Sequence, residues 1–423
     1  MDKKNFYKKK LLVLGGAFVH VKLINAAKEM GVYVIVTDNI PYSMSPGKKV
    51  ADEFWDLNIY DIDAIVNRAI KENISGVISG WLDPCQRPYC EICNRLALPC
   101  YGTKEQFDFM TDKHLFKKMC QENDVDIIEE YSLEDLYNRR IIFPVFVKPN
   151  DSRGSRGQTV CYDYDELEKA VKFASLESSN GEIIIERYVK NAQEFHVTYF
   201  FINGEPYLLR TSDNYCGSEE QQMQKVVSCA IMPSVHTDHY LKTTHKNVVK
   251  MFKKIGVKNG PIFMQGFEEN GIFRFFDPGL RFPGVDYELV FKEVFKIDLM
   301  KAMVEIAFTG KCELVIPDNV AFLKGKNGAV LYLTVKACTI KDITGEDVVR
   351  KNNAIISYWP RCHKGDRIEW NYNVNQRLAE IDILANDKKQ LIDVINFVHS
   401  NIHATDTNND DAIFARFDVN RIK

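Results

Sequence analysis

Lys148 and the loop that follows it combine residue types that could bind a polyphosphate. Residues 143–159 read FPVFVKPNDSRGSRGQT, so a short apolar run delivers one lysine to a loop of glycine, serine and arginine. Lysine and arginine neutralise phosphate charge, and glycine lets backbone N–H groups approach the oxygens closely. The segment is not a Walker A loop, because the lysine precedes the glycines and no G-K-[ST] follows them. On this segment alone, a basic surface hairpin loop is an equally good interpretation.

Charged and amide side chains recur at the ends of the other predicted elements. A helix is predicted to open at Thr111-Asp112-Lys113, and the sequence ERYV at 186–189 ends a short buried strand. Glu194 precedes a longer predicted strand, Phe195–Ile202. A hairpin over 262–276 is predicted to carry Gln265 and to lead into Asp277 and Arg281.

The elements that must position these side chains begin with a βαβ unit. Leu11–Leu14 and Tyr33–Thr37 are predicted strands around a helix that starts near Val21. Further strand and helix signals up to Tyr101 predict an open parallel sheet. The turn between the first strand and helix contains only Gly15-Gly16 in place of G-x-G-x-x-G, so a nicotinamide-dependent oxidoreductase is a weakly supported alternative.

The predicted fold class is α/β plus α+β. We expect an N-terminal open parallel sheet over 1–103, a bilobed domain over 104–310 with a flexible lobe at about 115–190, and a small C-terminal α+β lobe over 311–423. In the last part, strands are predicted near 329–336, 340–343, 354–358 and 378–385, a helix over 388–399, and a polar loop over 404–411.

Composition is that of an ordinary globular enzyme or binding protein. The chain has 423 residues, 45% of them hydrophobic, and a formal net charge of −3, which gives no support for a nucleic-acid surface or a polybasic membrane contact. The apolar run Leu11–Leu14 is too short for a signal peptide, so we expect a cytoplasmic protein. Cys85, Cys90 and Cys93 match an iron–sulfur spacing, but a core helix explains them better.

Taken in order, these motifs resemble the ATP-grasp superfamily of carboxylate–amine ligases, including carbamoyl-phosphate synthase and amino-acid ligases. The matching series is a lysine at a helix start, a lysine before a Gly/Ser/Arg loop, E-R-Y-V, a glutamate on the next strand, and D-x-x-x-R after a hairpin. The resemblance covers the whole chain and implies a pre-ATP-grasp domain, a bilobed ATP-grasp domain and a C-terminal lobe.

The resemblance also implies roles for individual residues. Lys113 and Lys148 would contact the ATP phosphates under a loop that contains Ser152, Arg153, Gly154, Ser155 and Gly157. The adenine would meet the Glu186 side chain or the Arg187 carbonyl together with the Val189 N–H, and Glu194 would hold the ribose. Arg281 would stabilise the acyl-phosphate oxygens, with a surface salt bridge as its alternative role.

The metal end departs from the family pattern. Where the family has a glutamate on the first hairpin strand and then E-x-N-x-R, this chain has Gln265, Asp277 and Gly279. Mg²⁺ prefers carboxylate ligands, so Asp277 is the one ionised ligand left and two-metal catalysis becomes doubtful.

The implied reaction uses ATP and Mg²⁺ to activate a small-molecule carboxylate as an acyl phosphate, which an amine then attacks. Lys148 and Arg281 would be the catalytic cations. His196 and His236 are candidate bases, although a core or capping role is the better interpretation of both. Because the predicted metal site has only one ionised ligand, the alternative function is non-catalytic ATP binding by a regulatory protein. The substrates are not readable from the sequence, and a homodimer stays open.

Overall fold

The structure is a computed structural model. It describes residues 6–150, 157–178, 180–190, 192–217, 226–284, 287–369 and 376–423. Among these residues, no helix is both long and apolar enough to cross a membrane.

The N-terminal region is a parallel sheet of the predicted kind, with strands in the order β3-β2-β1-β4. Its strands are short and mostly apolar, as in other α/β sheets whose faces are covered by helices. The elements are β1 (Lys10–Leu14), α1 (Val21–Glu29), β2 (Tyr33–Thr37), α2 (Pro46–Val50), β3 (Glu53–Trp55), α3 (Ile62–Lys71), β4 (Gly76–Ile78) and α4 (Asp83–Leu96). Cys85, Cys90 and Cys93 lie on α4 in the hydrophobic core, as the core-helix interpretation expected.

A small antiparallel sheet follows, with strands in the order β5-β8-β6-β7. It has its own hydrophobic cluster, built around Val145, Val147 and Leu167. The elements are α5 (Lys104–Phe109), α6 (Lys113–Gln121), β5 (Glu130–Tyr131), α7 (Leu133–Tyr137), β6 (Val145–Pro149), β7 (Thr159–Cys161), α8 (Tyr164–Glu177) and β8 (Ile183–Arg187).

The main sheet begins with long antiparallel strands. Its first part has the order β13-β12-β9-β10-β11. The sequence analysis did not identify β10, β11 or the two helices after them. The elements are β9 (Gln193–Ile202), β10 (Glu205–Cys216), β11 (Val227–Met232), α9 (Thr237–Thr243), α10 (His245–Ile255), β12 (Gly260–Glu269), β13 (Ile272–Gly279), α11 (Glu288–Phe295) and α12 (Leu299–Thr309).

The C-terminal strands continue the same sheet through β14, β18 and β16. Residues 403–406, predicted as part of a polar loop, instead form a strand that pairs with β15, because β15 offers it an open edge. The elements are β14 (Asn327–Val335), β15 (Cys338–Thr344), α13 (Glu346–Arg350), β16 (Ile355–Pro360), β17 (Arg367–Ile368), β18 (Arg377–Ala385), α14 (Lys388–Asn401), β19 (His403–Asp406) and β20 (Ile413–Ala415). The mixed α/β class is confirmed, and the exact domain boundaries stay a prediction.

Candidate functional site

A buried cluster of lysines surrounds Glu186 on the small sheet. Lys148 on β6 donates from Nζ to Glu186 Oε1 at 2.7 Å, and Lys117 on α6 donates to Glu186 Oε2 at 2.8 Å. All three side chains are almost fully buried. Both oxygens of the carboxylate therefore already have a charged partner. Lys117 also pairs with Glu130 Oε1 at 2.5 Å, so two lysines and two glutamates alternate in this cluster.

The two lysines of the cluster differ in their protonation equilibria, because, in spite of burial, Glu186 and Glu130 together raise the pKa of Lys117. Burial, together with the positive charges of Lys117 and Lys113, lowers the pKa of Lys148, and Glu186 opposes this only in part. Burial would raise the pKa of Glu186, but the two lysines outweigh it and lower that pKa. An added anion near these lysines would relieve their repulsion, which is the electrostatic environment that a phosphate group needs.

Lys113 links this cluster to the main sheet. It is the first residue of α6, whose N-cap Asp112 accepts from the Leu115 N–H at 3.0 Å. Its Nζ donates to the Asn150 carbonyl at 3.2 Å and lies 3.6 Å from Asp277 Oδ1. Lys113, Lys148 and Asp277, which the sequence analysis placed in one site, thus come together from three elements.

Asp277 stands in a row of polar residues across the main sheet. It pairs with Gln265 on β12, which pairs in turn with His196 on β9. Its side chain keeps 32% of its surface exposed, so an ion can reach it. Asp277 and Gln265 supply a carboxylate and an amide oxygen, ligand types that suit Mg²⁺. In the described residues, no group of three or more His, Cys, Asp and Glu side chains has the arrangement of a metal site.

Gly279 explains why the family asparagine is absent. A Cβ atom at this position would lie 2.2 Å from Phe263 Cε1, so the Phe263 ring occupies the space that an asparagine side chain would need. An asparagine side chain fits at position 279 only if the Phe263 ring moves. The same ring packs under the Arg281 guanidinium, with 4.7 Å between Cζ and the ring centroid.

Arg281 is held by the N-terminal region. Its Nε and Nη2 both donate to the carboxylate of Asp83, the first residue of α4, with an Nη2–Oδ2 distance of 2.8 Å. A third bond runs from Nη1 to the Phe282 carbonyl at 3.0 Å. Asp83 outweighs the effect of burial and raises the pKa of Arg281. Arg281 thus forms a salt bridge, as its alternative role expected, but the pair is largely buried, with side chains 14% and 19% exposed.

Some of the residues predicted to contact the nucleotide are described by the structure, and the others lie outside the described residues. Glu194 lies on β9, where Oε1 is 2.6 Å from His196 Nε2 and Oε2 accepts from the Cys216 thiol. The Arg187 side chain binds Glu129 and Glu269, and its backbone N–H donates to the Glu129 carbonyl at 2.9 Å. The adenine contact of the Arg187 carbonyl and the Val189 N–H stays a prediction. Ser152, Arg153, Gly154 and Ser155 lie outside the described residues, and Gly157 is described just after them.

The sequence analysis missed three residues of this site, namely Lys117, Asp83 and Phe263. Lys117 follows Lys113 by one helical turn, so i,i+4 spacing could have placed both lysines on one face. Asp83 and Phe263 gave no local signal, because each meets Arg281 only through the tertiary fold.

Comparisons with known proteins agree with this geometry. Residues 112–281 match the family model described as "Carbamoyl-phosphate synthase L chain, ATP binding domain". The carbamoyl phosphate synthase large chain of Methanobrevibacter smithii is 25% identical over 279 residues, which cover 60% of this chain. The chain spans only 25% of the length of that relative.

Two solved structures share the fold over almost the whole chain. The biotin carboxylase domain of 2-oxoglutarate carboxylase from Hydrogenobacter thermophilus, solved with MgADP, ADP and bicarbonate, has a TM-score of 0.78 at 18% identity, covering 94% of this chain and 91% of that one. The L-amino acid ligase from Bacillus licheniformis has a TM-score of 0.75 at 15% identity, covering 95% of this chain and 100% of that one. The match of residues 112–281 to that family model, together with the shared fold, supports the resemblance to the ATP-grasp superfamily of carboxylate–amine ligases.

Proposed function

We propose that the protein is an ATP-dependent ligase that joins a carboxylate to an amine through an acyl phosphate, with release of ADP and phosphate. The observation that carries this proposal is the convergence of Lys113, Lys117 and Lys148 beside Asp277, in a fold shared with a carboxylase domain and an amino acid ligase. Lys113 and Lys148, beside the partly exposed carboxylate of Asp277, are suited to a nucleotide polyphosphate and its metal ion.

The chain's own residues would act chiefly by positioning and charge neutralisation. Lys148 and Lys113 would bind phosphate oxygens, and Glu186 together with Lys117 would fix the direction of the Lys148 side chain. Arg281, held by Asp83 and flat against Phe263, would offer its remaining N–H groups to the oxygens of the acyl phosphate. Such preorganised charges stabilise a transferring phosphoryl group without the cost of reorienting solvent.

Asp277 and Gln265 would hold Mg²⁺. When bound, the ion neutralises phosphate charge and orients the nucleotide. The donor set fits one ion better than two, because Gln265 is neutral and Gly279 has no side chain.

A coupled assay of ADP release tests the proposal. Purified protein is incubated with Mg·ATP and a matrix of carboxylate–amine pairs, and each pair is compared with the carboxylate alone. We expect ADP release that requires a particular carboxylate and is completed by an amine, and that is lost in Lys148→Ala. ATP binding without ADP release for any pair would contradict the ligase.

A non-catalytic ATP-binding role is the second candidate. It is favoured by the Phe263 ring in the place of the family asparagine, together with the neutral Gln265. This candidate predicts tight nucleotide binding, measured by calorimetry, that changes the protein's stability without turnover.

A further inference from the structure

Four charged side chains form a closed ring between the small sheet and the hairpin of β12 and β13. Arg187 Nη1 and Nη2 donate to the two carboxylate oxygens of Glu269 at 2.9 and 2.6 Å, and Arg187 Nε donates to Glu129 Oε2 at 2.8 Å. Arg274 closes the ring, because its Nη1 lies 3.1 Å from Glu129 Oε1 and its Nε donates to Glu269 Oε2 at 3.2 Å. Each arginine therefore contacts both glutamates.

The pair of Arg187 and Glu269 has the best geometry in this ring. It is bidentate, and its side chains are 30% and 21% exposed, so water screens it less than it screens a fully exposed pair. The hydrogen bonds with Glu269 raise the pKa of Arg187, and the same bonds lower the pKa of Glu269. Isolated surface ion pairs contribute little, but bidentate pairs within a network of charges are an exception. This pair can therefore fix the positions of the elements that carry it.

The ring joins strands that carry the two ends of the proposed ATP site. Arg187 is the last residue of β8 and directly follows Glu186, which both buried lysines of the cluster contact. Glu269 is the last residue of β12, and Arg274 lies on β13 three residues before Asp277. The small sheet with its lysines is thereby tied to the hairpin that holds the predicted metal ligands.

Backbone hydrogen bonds beside the ring attach β8 and the hairpin to one common segment. The Phe275 N–H donates to the Asp126 carbonyl at 3.0 Å, and the Arg187 N–H donates to the Glu129 carbonyl at 2.9 Å. The side chains of Arg187 and Glu269 add a direct link from β8 to the hairpin. Loss of that pair should therefore let the two sides move relative to each other about the common segment.

We propose that the Arg187–Glu269 pair is a positioning element, which holds the lysine cluster and the Asp277 hairpin at the separation that a polyphosphate with its metal ion requires. Metal-free ATP can be bound by the lysines alone, whereas Mg·ATP has to meet Lys148 and Asp277 at once. The factor by which Mg²⁺ tightens ATP binding is a coupling between the two ends, and it depends on their fixed separation. The inference rests on the proposed function, because it places the phosphates at Lys148 and the ion at Asp277.

The affinity for ATP, measured by calorimetry with excess EDTA and again with saturating Mg²⁺, tests the proposal. Glu269→Gln keeps the side-chain length and removes the charge. Glu205→Gln is the matched control, because Glu205 pairs with Lys253 at 2.6 Å, the distance of the Arg187–Glu269 salt bridge. We expect the Mg²⁺ effect to fall by about fivefold or more in Glu269→Gln and to keep its native value in Glu205→Gln, while metal-free affinity barely changes in both. An undiminished Mg²⁺ effect in Glu269→Gln, or an equal loss of affinity with and without Mg²⁺, would overturn the proposal.

Substitutions of the arginine give a second test. Arg187→Lys keeps the charge but loses the bidentate fork, so it should retain part of the Mg²⁺ effect that Arg187→Gln loses. The double variant Arg187→Gln/Glu269→Gln should lose no more of this effect than Arg187→Gln alone, because both changes break the same pair. Additive losses would show that the two side chains act independently, which would overturn the proposal. Turnover is not measured in these experiments, so a failed ligase assay with a native Mg²⁺ effect would refute the ligase function and leave this inference standing.

Discussion

The two ends of the proposed ATP site are built differently. At the lysine end, Lys117, Glu186 and Lys148 are buried and joined by short ionic hydrogen bonds. At the metal end, Asp277 is one-third exposed and Phe263 fills the space beside Gly279. The lysine end has the residue types that the resemblance implies, whereas at the metal end an apolar ring fills the space that the family's asparagine would need. The difference indicates that nucleotide binding and metal-assisted turnover can be separated by mutation in this chain.

Asp277→Asn should produce the largest difference between the effect on turnover and the effect on ATP binding. It removes the single carboxylate of the proposed Mg²⁺ site, so turnover should fall by about 100-fold or more, while metal-free ATP affinity barely changes. Rates are read from ADP release over a Mg²⁺ titration, with Asp393→Asn on the exposed face of α14 as a matched control. Native turnover in Asp277→Asn at limiting Mg²⁺ would show that the ion is held elsewhere.

At the lysine end, Lys148→Ala should weaken ATP binding by about 1–3 kcal/mol, as expected for a lost charge-assisted contact. Calorimetry measures the affinity, and circular dichroism checks that the fold is intact. Lys117→Met, which removes the second partner of Glu186 but no proposed phosphate contact, should have a smaller effect on ATP. If the two variants lost equal affinity, Lys117 would have to contact the nucleotide itself.

The single substitution Gly279→Asn, which introduces the asparagine of the family pattern, should destabilise the protein. Gly279→Asn forces a side chain into the Phe263 ring and should destabilise the fold by about 1–3 kcal/mol, as overpacking does. In the double variant Phe263→Ala/Gly279→Asn the clash is gone, so a double-mutant cycle of urea unfolding should show a favourable coupling energy. Additive effects of the two substitutions would mean that the ring and the glycine are unrelated.

The smallest expected effect concerns Asp83. Asp83→Asn keeps one acceptor for Arg281 but loses the charge, so kcat should fall about tenfold while the affinity for ATP is unchanged. Asp83→Glu, which restores the carboxylate, should recover part of kcat. Steady-state kinetics distinguish this positioning role from general destabilisation, in which kcat and ATP affinity would fall together.

The sequence alone predicted those elements and site residues that have a local sequence pattern. The strand before Lys148, the helix start at Lys113 and the Gln265–Asp277 hairpin all have periodic or turn signals, and all are present. β10 was missed because its polar residues, such as Ser212 and Asn214, are buried by neighbouring strands instead of alternating with apolar ones.

The sequence did not reveal some site residues because their partners lie far away along the chain. Asp83 and Arg281 are 198 residues apart, and no local pattern relates them. In the sequence, Phe263 has the pattern of an ordinary core strand residue. Only its position opposite Gly279 shows that its ring fills the space of a side chain at position 279.

The bond between Asp83 and Arg281 has a consequence for how such a protein can evolve. The carboxylate comes from the first turn of α4, and the arginine from the segment just after β13. If recombination moved the segment with Arg281 into another protein without α4, the arginine would lose its carboxylate partner Asp83. The two segments must therefore be inherited together, or the recipient must supply a carboxylate at the same point.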